Sequence, residues 1–239
     1  MCGRRKLERE QLCNWGDMDH GMVESIAGQI DDGIVVQFHN NGEPLLYPRL
    51  AEGLDLFRGK IRCLDTNGKL LVDKAGEIIS NLETITISTF QGDPEQDEQY
   101  EILKDFLRIK GDRKPNVIVR LLGNVEAEPY GKLGVKIFAK RILHSPMGSF
   151  DYPKPPTIPE IGICLDALSH LVIDRFGQVS MCVRFDPYGE GVIGDLNYET
   201  LDEIWNGAER QRRLTKHIEG KRDELPLCNK CEYWGVPTG

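Results

Sequence analysis

Between Gly33 and Arg141 the chain alternates short, β-rich apolar runs with longer amphipathic stretches, and this rhythm constrains the fold more than any other feature. Ile34-Val35-Val36-Gln37-Phe38, Lys60-Ile61-Arg62-Cys63-Leu64, Thr84-Ile85-Thr86-Ile87-Ser88 and Val117-Ile118-Val119-Arg120-Leu121-Leu122 read as strands, with Val135-Lys136-Ile137-Phe138-Ala139 as a fifth. The first four start roughly 25 to 35 residues apart, which is the spacing of successive βα units. Helical patterns fill the gaps. One runs through Leu50, Leu54 and Phe57, and another carries Ala75, Ile78 and Ile79. A third starts at Asp93-Pro94 and presents Tyr100, Leu103, Phe106 and Leu107 at helical spacing. A parallel α/β fold follows, either an open sheet or part of a (β/α) barrel. In both, ligands lie at the C-terminal ends of the strands. The polar or Gly-containing turns Asn40 to Pro44, Thr66 to Gly68 and Ser88 to Gly92 fall there.

Tyr152-Pro153-Lys154-Pro155-Pro156-Thr157-Ile158-Pro159 carries four prolines in eight residues, too stiff for a helix interior. It divides the chain into a first domain at 1–150, a Pro-rich linker at 151–163 and a second domain at 164–239. In the second, Leu171 to Asp174 and Val179 to Cys182 flank a turn at Arg175-Phe176-Gly177 and read as a hairpin. Thr200-Leu201-Asp202-Glu203 has capping-box spacing and opens a helix with Ile204 and Trp205. The basic run Arg210 to Lys216 reads as a solvated helix face. With Lys plus Arg at 30 against Asp plus Glu at 38, the net charge of −8 gives no electrostatic reason to bind nucleic acid. No apolar run approaches the ~20 residues of a membrane span. No secretory signal follows Met1, so the expected location is cytoplasmic.

Seven cysteines in a reducing compartment read as metal ligands or buried residues more readily than as disulfides. Cys164, Cys182, Cys228 and Cys231 bunch behind the linker, and the Cys228-x-x-Cys231 spacing lets both thiolates reach one metal centre from a tight turn. Four thiolates suit a closed site, and spacing alone does not choose between zinc and an iron–sulfur cluster. Cys63 lies within a strand and reads as core. Cys13 fits no pattern, and Cys2 stands apart at the start of the chain.

These residues carry a resemblance. Gly42-Glu43-Pro44 after the first strand is similar to the GGEP motif of radical S-adenosylmethionine (radical SAM) enzymes, and Thr66-Asn67-Gly68 resembles their TNG turn. Ser88 ends its strand where those enzymes place a SAM-contacting serine. Cys164, Gly177 and Cys182, then Gly194-Asp195-Leu196, the Leu201 to Trp205 helix and Cys228-x-x-Cys231, resemble the SPASM/twitch extension. The resemblance covers nearly the whole chain. It implies a partial (β/α)6 TIM-like barrel lacking its first strand, followed by a small Cys-rich α+β SPASM/twitch domain. It also implies that Gly42, Glu43 and Pro44 meet the SAM amino group and that Asn67 shapes the cavity. Ser88 and Arg120 would hydrogen-bond ribose or carboxylate, which suits a guanidinium. Cys164, Cys182, Cys228 and Cys231 would hold an auxiliary [4Fe–4S] cluster. His39, Asn40 and His144 lie near strand ends as cavity candidates, with none assigned to catalysis.

Three departures qualify the likeness. Asn41 replaces the first glycine of GGEP, a substitution that left-handed backbone tolerates. No further cysteines follow Cys231, so one auxiliary cluster is expected, as in the twitch form. The CxxxCxxC loop that holds the SAM-binding cluster is absent, and Cys2, preceded by Met1, resembles its last cysteine. An N-terminally truncated radical SAM protein is therefore the expectation. The implied function is reductive cleavage of S-adenosylmethionine to a 5′-deoxyadenosyl radical that takes hydrogen from a peptide, protein or small-molecule substrate. A flavodoxin or ferredoxin would be the reductant. The alternative is a non-catalytic Cys₄ scaffold, holding zinc or an iron–sulfur cluster on a degenerate barrel.

Overall fold

The computed structural model describes residues 15–40, 42–140, 163–183, 186, 188–229 and 231. Cys2, Cys13, Asn41, His144 and the Pro-rich segment lie outside the described residues. By contacts, the described chain forms two compact units, residues 23–140 and residues 15–22 together with 163–231.

In the first unit five strands form one all-parallel sheet in sequential order: β1 (Val35–Gln37), β2 (Ile61–Thr66), β3 (Thr84–Phe90), β4 (Asn116–Leu122) and β5 (Lys136–Lys140). Helices fall between them: α2 (Leu50–Leu56), α3 (Ala75–Ile78), α4 (Gln96–Lys110) and α5 (Glu128–Gly131). Ahead of β1, α1 (His20–Ala27) buries Val23, Ile26 and Ala27. The β-branched runs form strands with one face in the core: Leu64, Ile85, Ile87, Val119 and Leu121, on one side of the sheet by register, are wholly buried, whereas Ile61 and Phe138 on the other side stay exposed. Phe106 and Leu103 of α4 and Leu54 of α2 pack into the same core. α4 carries Asp97 and Glu98 in its first turn and Arg108 and Lys110 in its last, matching the helix dipole. It begins two residues beyond Asp93-Pro94. Asp93 caps the preceding turn instead, its Oδ1 accepting the Glu95 N–H at 3.1 Å.

The second unit has a three-stranded antiparallel sheet of β6 (Val172–Ile173), β7 (Gln178–Ser180) and β8 (Val192–Asp195). Its helices are α6 (Leu165–Ser169), α7 (Leu201–Asn206), α8 (Ala208–Ile218) and α9 (Pro226–Asn229). The expected β6–β7 hairpin forms. Asp174 Oδ1 accepts the N–H groups of Phe176 and Gln178, each at 2.9 Å, and Gly177 takes φ +88°. Val179, Met181, Ile193, Ile204 and Leu214 make the small core.

The Arg210 to Lys216 run corrects the sequence reading. Arg210 is 4% exposed and Arg213 8%, so this face is packed. Arg213 donates to Glu190 O at 2.9 Å and Val192 O at 3.0 Å, while Arg210 donates to Leu168 O at 2.9 Å. The guanidiniums are buried because carbonyls at loop and helix ends need donors there. Arg210 also stacks over the Trp205 ring, 3.6 Å from its centroid.

Candidate functional site

At the C-terminal ends of β1 to β4, the loop after β1 is tied to the loop after β2 by a single carboxylate. Glu43 caps a 3₁₀ turn at Pro44–Leu46, its Oε1 accepting the Leu45 N–H at 3.1 Å. The same oxygen accepts the Thr66 hydroxyl at 2.7 Å, and Oε2 accepts the Asn67 N–H at 2.9 Å. Thr66 Oγ1 in turn accepts the Gly68 N–H at 2.9 Å, and Asn67 Oδ1 accepts the Lys69 N–H at 2.9 Å. Gly68 is required twice over. It has φ +78°, and a Cβ there would stand 2.8 Å from Ile87 Cγ2.

Gln99 of α4, only 2% exposed, braces this turn from below. Its amide donates to Asn67 O and, at 3.0 Å, to Ser88 O, while its carbonyl accepts the Thr89 hydroxyl at 3.0 Å. Two strand ends, of β2 and β3, and a helix are thereby joined through one buried side chain.

A second network centres on Asp65, the penultimate residue of β2, which is 8% exposed. Its carboxylate accepts Gln37 Nε2 at 2.7 Å and lies 2.8 Å from Arg120 Nη2. His39 Nε2 stands 3.7 Å away. Burial holds the His39 imidazole below its ordinary pKa; the Asp65 charge works against that shift and the Arg120 charge adds to it. Arg120 pairs with Ser88 in the β3–β4 register. Thus Glu43 and Asn67 are joined directly, Ser88 is linked to Asn67 through Gln99, and Arg120 is held by Asp65. Gln37, Asp65 and Gln99 were not singled out from sequence. Polar residues ending otherwise apolar strands were the available signal for Gln37 and Asp65; nothing local marked Gln99.

In the second unit Cys164 occupies the N-cap position of α6, Cys182 follows β7, and Cys228 and Cys231 lie in and just beyond α9. All four are half-buried and outside any disulfide. Burial, then the neighbouring Cys231 and Cys164 sulfurs, push the Cys228 thiol up to about 11, while Arg213 and Arg222 act in the opposite sense. Arg222 Nη1 donates to Cys228 O at 2.6 Å and Cys231 O at 3.3 Å, fixing the C-x-x-C turn. His217, on α8 and fully buried, accepts the Cys164 N–H on Nδ1 at 3.4 Å and brings Nε2 to 3.4 Å from Cys228 Sγ. This histidine was missed from sequence, although Arg210, Arg213, Leu214 and His217 share the spacing of one helix face.

Among the described residues, no group of three or more His, Cys, Asp or Glu side chains is gathered to hold a single metal ion. A four-iron cluster instead takes one cysteine per iron, so its sulfurs sit around a larger object. Two of the other cysteines, Cys164 and Cys231, lie near enough to act electrostatically on Cys228, and thiolates are the donors such a cluster takes. Cys2, the expected ligand of a SAM-binding cluster, lies outside the described residues.

Residues 164–232 match the SPASM family, an iron–sulfur cluster-binding domain. Among solved structures, the radical SAM enzyme BtrN in complex with AdoMet and 2-DOIA superposes with a TM-score of 0.65 at 18% identity, covering 94% of this chain and 84% of that one. Selenomethionine BtrN in an open conformation gives a TM-score of 0.53, also at 18% identity, over 90% of this chain and 80% of that one. No curated protein sequence matches the chain. No helix of the described residues is long and apolar enough to cross a membrane. The chain thus shares the fold seen in BtrN, and its segment 164–232 matches the iron–sulfur cluster-binding SPASM domain.

Proposed function

We propose that the protein is a radical SAM enzyme acting on a peptide, protein or small-molecule substrate, with a flavodoxin- or ferredoxin-type reductant. The observation that carries this reading is the junction made by Glu43 between the Gly42-Glu43-Pro44 loop and the Thr66-Asn67-Gly68 turn. It consumes the Glu43 carboxylate within the protein and fixes the two loops side by side at the strand ends. Arg120, oriented by Asp65, supplies a guanidinium suited to the carboxylate of S-adenosylmethionine. Asn67 and Ser88, braced by Gln99, would line the ribose side. When bound, a reduced SAM-ligating [4Fe–4S] cluster supplies the electron that cleaves S-adenosylmethionine to a 5′-deoxyadenosyl radical, which takes hydrogen from substrate. Cys164, Cys182, Cys228 and Cys231 would hold the auxiliary [4Fe–4S] cluster, fully ligated by protein and so suited to electron transfer or structure.

The test is anaerobic reconstitution of the full-length protein with iron and sulfide, followed by dithionite and S-adenosylmethionine. Dithionite-dependent 5′-deoxyadenosine, reduced at least tenfold by Arg120→Ala, is the expected result. Zinc at the C-terminal cysteines, no iron uptake and no 5′-deoxyadenosine would establish the non-catalytic scaffold instead.

A further inference from the structure

We infer that His217 donates a hydrogen bond to the Cys228 sulfur of the auxiliary cluster and thereby raises that cluster's reduction potential. The inference rests on the reading of the four C-terminal cysteines as cluster ligands. α8 turns Arg210, Arg213, Leu214 and His217 inward, and His217 has no solvent exposure. Its two ring nitrogens face different cysteines. The Cys164 amide is a donor and nothing else, so the Nδ1 it meets at 3.4 Å must offer a lone pair. In a neutral imidazole the proton then resides on Nε2. That nitrogen stands 3.4 Å from Cys228 Sγ, within reach of a sulfur acceptor. The tautomer is thus set by the backbone on one side, and the donor is aimed at a ligand sulfur on the other.

The same arrangement argues against His217 as a ligand. Nδ1 is engaged by an amide, and Nε2 faces the sulfur that would itself bind iron. Arg222 holds the Cys228 and Cys231 carbonyls, so the sulfur is fixed against the ring. An N–H pointing at a thiolate ligand stabilises the more electron-rich, reduced cluster more than the oxidised one. Hydrogen bonds to sulfur are one of the protein's main levers on cluster potential.

The experiment is a dye-mediated redox titration of the reconstituted protein, following the EPR signal of the cluster that Cys164→Ala removes. Wild type, His217→Phe and His217→Gln are compared at equal iron and sulfide content. His217→Phe, which fills the space without a donor, is expected to lower the reduced-to-oxidised ratio at fixed potential about tenfold, or about 59 mV for a one-electron couple. His217→Gln, which retains an N–H, should recover part of that loss. An unmoved midpoint in an iron-loaded His217→Phe protein overturns the inference and leaves the cluster reading intact. A wild-type protein whose cysteines take up no iron overturns both.

A measurement on wild type alone covers the case in which the variants fail to fold. With ¹⁵N-histidine labelling, a weak nitrogen coupling and an exchangeable proton at the reduced cluster are expected. A strong, directly bonded nitrogen coupling, or no exchangeable proton, overturns the inference.

Discussion

The Asp65 carboxylate on β2 lies 2.8 Å from the Arg120 guanidinium on β4, reaching past the intervening strand β3 at the sheet's C-terminal edge. Asp65 is buried, whereas the Arg120 side chain keeps 26% of its surface exposed, so the carboxylate anchors and the guanidinium faces outward. Removing the anchor by Asp65→Ala strands a partly desolvated cation and the Gln37 amide. A loss of about 2 kcal/mol is expected, below the full cost of breaking a buried pair because Arg120 is partly hydrated. Urea unfolding should show a lower midpoint with unchanged slope. Weaker S-adenosylmethionine binding should accompany it, by about tenfold on loss of one charge-assisted contact. Full binding and stability in the variant would refute the anchoring role.

Gly68→Ala tests the turn beneath the Glu43 junction. The new methyl would meet Ile87 Cγ2 at 2.8 Å, and the backbone would be held at φ +78° with a Cβ attached. Left-handed backbone costs a non-glycine residue about 1–2 kcal/mol, and crowding a packed core typically costs about 1–3 kcal/mol more. A combined loss of about 2–5 kcal/mol should appear in denaturant unfolding, well beyond the effect of Gly76→Ala, where a Cβ meets nothing within 4 Å. Equal costs at the two glycines would show that the close approach to Ile87 does not matter.

What could be read from the sequence follows from where each signal resides. The β-strands were legible because a pleated sheet with one face in the core favours β-branched alternating runs such as Ile85-Thr86-Ile87. The loop and turn residues were legible because Gly68, Gly177 and the Thr200–Glu203 box are local solutions to local backbone problems. Gln99, Arg213 and His217 were not. Each is polar on a helix, which by pattern alone reads as solvent-facing. Their burial is decided by partners distant in sequence: Asn67 and Ser88 for Gln99, Glu190 and Val192 for Arg213, Cys164 for His217. The same distance explains why Asp65 was overlooked, since its partners Gln37 and Arg120 come from two other strands.

Thr200→Ala tests the start of α7. Thr200 Oγ1 accepts the Glu203 N–H at 3.2 Å, and Glu203 Oε2 accepts the Thr200 N–H at 2.8 Å, a reciprocal box that satisfies two otherwise orphaned donors. α7 carries Ile204 into the small core against Gly194, where a Cβ would stand 2.5 Å from Ile204 Cγ1. Loss of the cap should cost about 1 kcal/mol. Hydrogen exchange should locate the change in the N–H groups of Asp202 and Glu203. Thr200→Ser should restore most of the lost protection, and failure to do so would mean that the methyl, not the hydroxyl, matters there.

Glu209 gives the C-terminal unit a specific acid sensitivity. Hydrogen bonds from Arg212 and Arg213, opposed by burial, lower its carboxyl from 4.5 to about 2. A depressed folded-state pKa means that the carboxylate stabilises the fold fully above the unfolded value. That contribution fades as pH falls from about 4.5 to about 2 and is gone below both values. Because the Glu209 side chain is 37% exposed, solvent screening reduces the contribution to about 1 kcal/mol. Glu209→Gln should therefore lower unfolding stability by about 1 kcal/mol at pH 7 and by progressively less on acidification. Below pH 2, wild type and variant should coincide. A difference that stays constant with pH would show that Glu209 acts through shape and neutral hydrogen bonding, and not through its charge against Arg212 and Arg213.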